Sequence, residues 1–224
     1  SMAMKGKGQL MTQHNSDAPA RRRRKQARPS EIIDAGLQEF AEKGFAATRL
    51  EDVAHRAGIV KGTIYLYFPS KEALFVAALR ARVAPVIDHV DGLAEGYQGS
   101  AEDLLRIVIR TIHERLVNTE LRTLMRIMIA EGHRFPELTR FYYEEIIAKG
   151  RLLLERIIAL GLTQGEFDRT AVARAPMVIM APALMAAIWK LLFEPYHPVA
   201  PEDFAEAHTD LVFKGLLSRS TGAS

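Results

Sequence analysis

Apolar residues recur along this chain at the three- and four-residue spacing of helices, and nowhere with the strict alternation of a half-buried strand. The stripe Ile33, Leu37, Phe40 and Ala41 marks one helix, opened by Pro29-Ser30-Glu31 with Ser30 as cap and closed by Gly44. Thr48 and Glu51 stand three apart ahead of Val53 and Ala54, the spacing of a capping box, and predict a second helix from about Leu50. Gly58 ends it, Ile59-Val60-Lys61 turns, and a third helix runs from about Gly62 to Phe68, closed by Pro69 because a residue before proline is pushed out of the helical region. Ser70-Lys71-Glu72 opens a connecting helix whose apolar positions Leu74, Phe75, Ala78, Leu79 and Val83 continue to about Leu93, with a bend expected at Pro85. After a loose stretch over 96–100, helices are expected over 101–117, about 119–131, about 136–160, 168–194 and near 202–217. The expected fold is all-α, with an amino-terminal three-helix unit over 30–80 and a larger helical domain over 81–219.

Two short helices joined by a glycine-containing turn form a helix-turn-helix, whose second helix enters the DNA major groove. With Ile64 and Phe68 turned inward, steps of 100° per residue put Gly62 and Leu66 on the opposite face, flanked by Thr63 and Tyr65. That face lets a backbone come close to DNA, while Lys61, Tyr67 and Lys71 at its margins can reach phosphates. A leucine at 66 either meets an apolar feature of the groove, such as a thymine methyl, or tucks back against the connecting helix near Leu74.

The run from Gly44 to Phe75, GFAATRLEDVAHRAGIVKGTIYLYFPSKEALF, resembles the amino-terminal domain of TetR/AcrR-type transcriptional regulators. Its AG, KGTxY, F and SKE elements stand in the family's order. The chain departs at Arg49, where the family often has a second Thr, and at Leu66, where it has Tyr or Trp. The resemblance implies a DNA-binding homodimer, commonly with an effector held in the second domain. Its DNA-contacting surface then comprises Thr48, Arg49, Lys61, Gly62, Thr63, Tyr65, Leu66, Tyr67 and Lys71.

Charge distribution agrees with a polyanion at one end only: residues 1–71 hold thirteen Lys/Arg against seven Asp/Glu, and the remainder seventeen against twenty. Residues 1–29 are polar and contain Arg21-Arg22-Arg23-Arg24-Lys25, expected to be a disordered basic arm that is either solvated or laid along DNA. No apolar run follows these charges, so they do not open a secretory signal. With no cysteine in 224 residues, disulfides and thiolate chemistry are excluded, which fits a reducing cytoplasm.

In the second domain, Met125, Met128, Ile129, Phe135, Phe141, Met180 and Trp189 fall at helical spacing, as plain core or as an adaptable pocket for a small apolar effector. His113 and His133 are candidate hydrogen-bonding groups there. The segment Ala175–Trp189 carries no charge but is too short to span a bilayer, so it is expected to be buried by its own domain and a partner subunit. Met185 with Phe204, Leu211, Val212 and Leu216 of the last helix would form that dimer seam. The seven histidines show no paired spacing at three or four residues, and no HExxH, Walker A, G-x-S-x-G or G-x-G-x-x-G occurs, so no metal, cofactor or catalytic constellation is indicated. The reading is a ligand-responsive regulator, a repressor released from a palindromic operator by its effector. A constitutive DNA-binding dimer and, less favoured, an enzyme with a helical active site are the alternatives.

Overall fold

The computed structural model describes the backbone of residues 18–217 and the side chains of residues 29–217. Among the described residues the chain forms helices and no strand. The first helix, α1, runs Ala18–Lys43, so the basic run at 21–25 continues the helix instead of forming the expected disordered arm; residues 1–17 of that arm lie outside the described residues. Gly44 ends α1 at φ +79°, a left-handed turn that glycine alone enters freely. Helix α2 (Leu50–Arg56), Gly58 at φ +65° and α3 (Lys61–Tyr67) make the expected helix-turn-helix. Helix α4 (Lys71–Ala78) is capped by Ser70, whose Oγ accepts from the Ala73 N–H at 3.2 Å.

The core of this unit is aromatic. Phe40, Phe45 and Phe75 are fully buried, with ring centroids 5.4–6.2 Å apart, and Ile64 and Phe68 dock the inner face of α3 against the same core. Where α1 crosses α4, a Cβ on Gly36 would stand 2.7 Å from Leu74 Cδ2, so the crossing requires the missing side chain.

The connecting helix breaks before Pro85. Residues Leu79–Val83 form one wide π turn, with the Ala84 N–H reaching back five residues to the Leu79 carbonyl, and α5 (Ala84–Ala94) starts with Pro85 in its first turn. A proline carries no N–H to continue the ladder, and its first-turn position needs none, so the irregularity falls upstream. Helix α6 (Ala101–Ile112) ends in a second π turn, His113–Val117, and α8 (Pro136–Tyr142) joins α9 (Ala148–Gln164) through a third, Tyr143–Ile147. Between them lies α7 (Arg122–Glu131). The expected helix over 168–194 is three pieces: α10 (Ala171–Arg174), a 3-10 stretch Pro176–Met180 and α11 (Ala181–Leu192). Pro176 and Pro182 each occupy a helix start, which explains the division. Helix α12 (Pro201–Leu216) packs on α6, α10 and α11.

A buried histidine pair ties three of these elements together. His208 Nε2 lies 2.7 Å from the Ile179 carbonyl and must donate to it, so His208 Nδ1 accepts from His113 Nε2 at 2.9 Å. His113 Nδ1 is left buried without a partner. Burial lowers both rings below the ordinary histidine range, His113 to about 4, with the adjacent His208 as a smaller cause. In the unfolded chain both rings titrate near ~6.5. As pH falls from there toward 4, the unfolded state takes up protons that the folded state does not, so the pair's contribution to stability should fall across that window and level off below it. Urea midpoints measured through this range should show that slope in the wild type, and His113→Phe should flatten it.

Candidate nucleic-acid interface and effector cavity

The outer face of α3 is built as its periodicity requires. Leu66 is 83% exposed and Tyr65 43%, while Ile64 is fully buried beneath them. Gly62 is exposed, and a Cβ added there would meet nothing within 4 Å. Neither backbone conformation nor packing inside this chain therefore calls for glycine at 62, although glycine costs a helix about 1 kcal/mol. Thr63 and Tyr67 are half-buried, Tyr67 resting against the core, and Arg49 and Lys61 are exposed.

Glu51, which entered the sequence reading only as a capping residue, organises this face. It accepts from Lys61 Nζ at 2.8 Å and from the Tyr65 hydroxyl at 3.0 Å, tying α2 to α3. The Lys61 ammonium first, then Glu51's own backbone N–H and the Tyr65 hydroxyl, hold its carboxyl down at about 2. The same contacts raise Lys61 and Tyr65 above their ordinary values. Glu51 precedes Lys61 by ten positions and Tyr65 by fourteen, spacings that carry no signal in a helical pattern.

Two expected DNA-contacting residues are otherwise engaged. Thr48 is buried, and its hydroxyl donates to the Gly44 carbonyl at 2.7 Å and the Glu39 carbonyl at 3.3 Å, satisfying the frayed end of α1. It does not cap α2, whose N-cap is Arg49 with no side-chain bond. Lys71 donates to the carbonyls of Phe45 and Ala46 at 2.8 Å and of Thr48 at 3.4 Å, and lies 4.9 Å from the Phe45 ring centre. Three acceptors match the three N–H groups of an ammonium, so this lysine is a clamp on the 45–48 turn. Beside it lies an open hollow of about 430 Å³ between residues 46–51, Tyr65 and Pro69–Lys71.

The carboxy-terminal bundle holds a half-open cavity of about 530 Å³ among α5, α6, α7, α9 and α11. Met125, Met128, Ile129 and Met180 line it, joined by Leu121, Leu124, Tyr142, Ile146, Leu153 and Met177. The other pocket candidates lie elsewhere. Phe135 packs on Phe45 at 4.9 Å, Phe141 lies under the Arg80 guanidinium, and Trp189 packs against Phe193 and Phe204 and donates to the His197 carbonyl. His113 is spent on His208, and His133 is exposed on the surface. Of the lining side chains only Arg122 is charged and only Tyr142 carries a hydroxyl, whose pKa burial pushes up to about 12.

Of the residues expected at the dimer seam, Met185 and Leu211 are exposed. Val178, Leu184, Met185, Leu192 and Leu211 stand exposed on α11, α12 and the preceding 3-10 stretch. Val212 and Leu216 are buried inside this subunit, and Phe204 is half-buried and packs against Trp189. An apolar stripe in the sequence does not distinguish its own subunit's core from a partner's surface.

The clamp assigned to Lys71 has a measurable consequence. Lys71→Met keeps the bulk but leaves three carbonyls to water, and should lower stability by about 1–2 kcal/mol, read as a fall in the urea midpoint at unchanged slope.

Comparison with known proteins places this geometry. Residues 32–78 match the family described as bacterial regulatory proteins, tetR family, and residues 103–212 match the AefR-like transcriptional repressor, C-terminal domain. The HTH-type transcriptional regulator RutR of Escherichia coli is 27% identical over 131 residues, covering 58% of this chain and 53% of its own length, so the shared part spans about half of that relative. The HTH-type transcriptional repressor KstR2 of Rhodococcus jostii is 26% identical over 197 residues, 87% of this chain and 93% of that one. FadR from Bacillus subtilis, solved in complex with stearoyl-CoA, superposes with a TM-score of 0.70 at 22% identity over 84% of this chain and 98% of its own. These relatives are regulators of transcription, not enzymes. With its helix-turn-helix unit and its helical carboxy-terminal bundle both matched, the chain belongs to the TetR/AcrR family of transcriptional regulators.

Proposed function

We propose that this chain is a ligand-responsive repressor that binds a palindromic operator as a homodimer and is released when an apolar effector fills the cavity. The observation that carries the reading is the double duty of α7. On one side Leu124, Met125, Met128 and Ile129 line the cavity. On the other, Arg126 Nη2 donates to the Phe40 and Ala41 carbonyls at 3.0 and 2.8 Å, and Glu131 Oε1 accepts from the Phe45 and Ala46 N–H groups at 3.1 and 3.3 Å. One helix thus touches the ligand space and grips the turn from which the DNA-facing helices hang. The connecting helix does the same through Leu74 and Phe75 under the head and Ile87 and Val90 at the cavity. The stearoyl-CoA of the FadR complex supports an acyl chain as the kind of effector, and KstR2's name supports repression.

On DNA, Leu66, Tyr65 and Thr63 would face base edges while Gly62 allows close approach, and Arg49 and Lys61 would meet phosphates. Lys61 and Tyr65 must then exchange Glu51 for the operator. The second subunit would cover the exposed Met185, Leu184, Leu192 and Leu211, setting two reading heads about 34–36 Å apart or a further turn away.

A ligand that weakens operator binding must itself be weakened by the operator to the same degree. Operator recovered by selection from random DNA, and an acyl ligand titrated with and without it, should give equal coupling factors; a ligand affinity indifferent to operator would defeat the repressor-release reading. Independently, Gly62→Ala should raise stability by about 0.5–1 kcal/mol, while weakening operator binding in a mobility-shift titration.

A further inference from the structure

Arg122 is out of place. It is the only charged side chain lining a cavity otherwise made of aliphatic, methionine and tyrosine side chains. Its one side-chain hydrogen bond among the described residues runs from Nη1 to the Thr119 carbonyl at 2.7 Å, and its Nε is buried without an acceptor. No carboxylate of the described residues pairs with it, whereas Arg126, one turn further along α7, spends its guanidinium on the Phe40 and Ala41 carbonyls. A guanidinium on an apolar wall without a counter-ion is costly, and an anion brought in by a ligand removes that cost.

From this we infer that Arg122 is an anion anchor inside the effector cavity, and that it selects an amphiphile with a single carboxylate head on an apolar chain, bound as the free acid. The inference rests on the proposal that an acyl compound occupies the cavity, and adds the identity of its head group. A volume of about 530 Å³, at roughly 30 Å³ per water-sized group, holds roughly 18 heavy atoms, the size of hexadecanoate with its carboxylate inside. Four methionines, Met125, Met128, Met177 and Met180, give the walls the flexibility to follow such a chain. A coenzyme A thioester fits this site less well. Its first carbon carries no charge for Arg122, and its nucleotide is too large for the cavity and must remain outside.

The Thr119 carbonyl fixes one edge of the guanidinium, so the anchor is oriented before the ligand arrives. That orientation favours a planar carboxylate over an alcohol of the same chain length, because an alcohol leaves the charge uncompensated.

The test is calorimetric titration of the full chain with hexadecanoate, hexadecanol and hexadecanoyl-coenzyme A, repeated on Arg122→Met and Arg122→Lys. Wild-type protein should bind hexadecanoate about tenfold or more tightly than hexadecanol. Arg122→Met should erase that difference by weakening the acid alone, and Arg122→Lys should retain part of it. Equal binding of acid and alcohol, an acid affinity untouched by Arg122→Met, or a thioester that outbinds the acid regardless of residue 122 overturns the anchor while leaving an acyl effector in place. Absence of binding by all three compounds overturns both the anchor and the acyl effector.

Discussion

The turn from Gly44 to Thr48 is held by hydrogen bonds from three sides, and the arrangement of the molecule depends on it. Its carbonyls at 45, 46 and 48 receive the Lys71 ammonium, its N–H groups at 45 and 46 are taken by Glu131, and the Gly44 carbonyl receives the Thr48 hydroxyl. Arg126 adds the last carbonyls of α1. Backbone polar groups at a helix end need partners, and here the partners come from both halves of the chain. Separating the DNA-facing unit from α7 would strip the turn's N–H groups of Glu131 and the last carbonyls of α1 of Arg126. A shift of α7 therefore has to carry the turn, and α2 behind it, or break several bonds at once.

Phe45 shows why that turn is rigid enough to matter. Its ring is enclosed by Phe40, Phe75 and Phe135, one each from α1, α4 and the segment after α7. Polar clamps fix the backbone on the outside, and an aromatic plug fixes it on the inside. Neither would suffice in a unit whose reading helices are each seven residues long, since helices that short are marginal without tertiary support.

What could be read in the sequence was local. The helix-turn-helix came from the Thr48/Glu51 spacing, Gly58 and Pro69, and the orientation of its second helix from the Ile64/Phe68 spacing, all within one stretch. The cavity was legible as a methionine-rich set, so Met125, Met128, Ile129 and Met180 were found, but Arg122 was not, because a lone arginine at a helix start looks like a solvated charge. Long-range pairings had no signal at all. His113 and His208 are 95 positions apart, and Arg126 and Phe40 86. Thr48 misled for a related reason: a hydroxyl three residues before a glutamate has the spacing of a cap, yet here it is turned back to donate to the Gly44 carbonyl, and α2 starts after Arg49 instead.

The three π turns acquire a common meaning once the cavity is drawn. Val83, Val117, Ile146 and Ile147, from all three turns, line its wall. Each wide turn holds one residue more than an α turn needs, and so locally widens a helix that borders the ligand space. Loss of that extra residue would restore an α turn at that point, while the helix on either side stays close to its present phase. The breadth of the ligand space is thus set in whole-residue steps at three separate places. A lineage carrying this scaffold can resize its cavity by single insertions and deletions, without altering any of the side chains that face DNA.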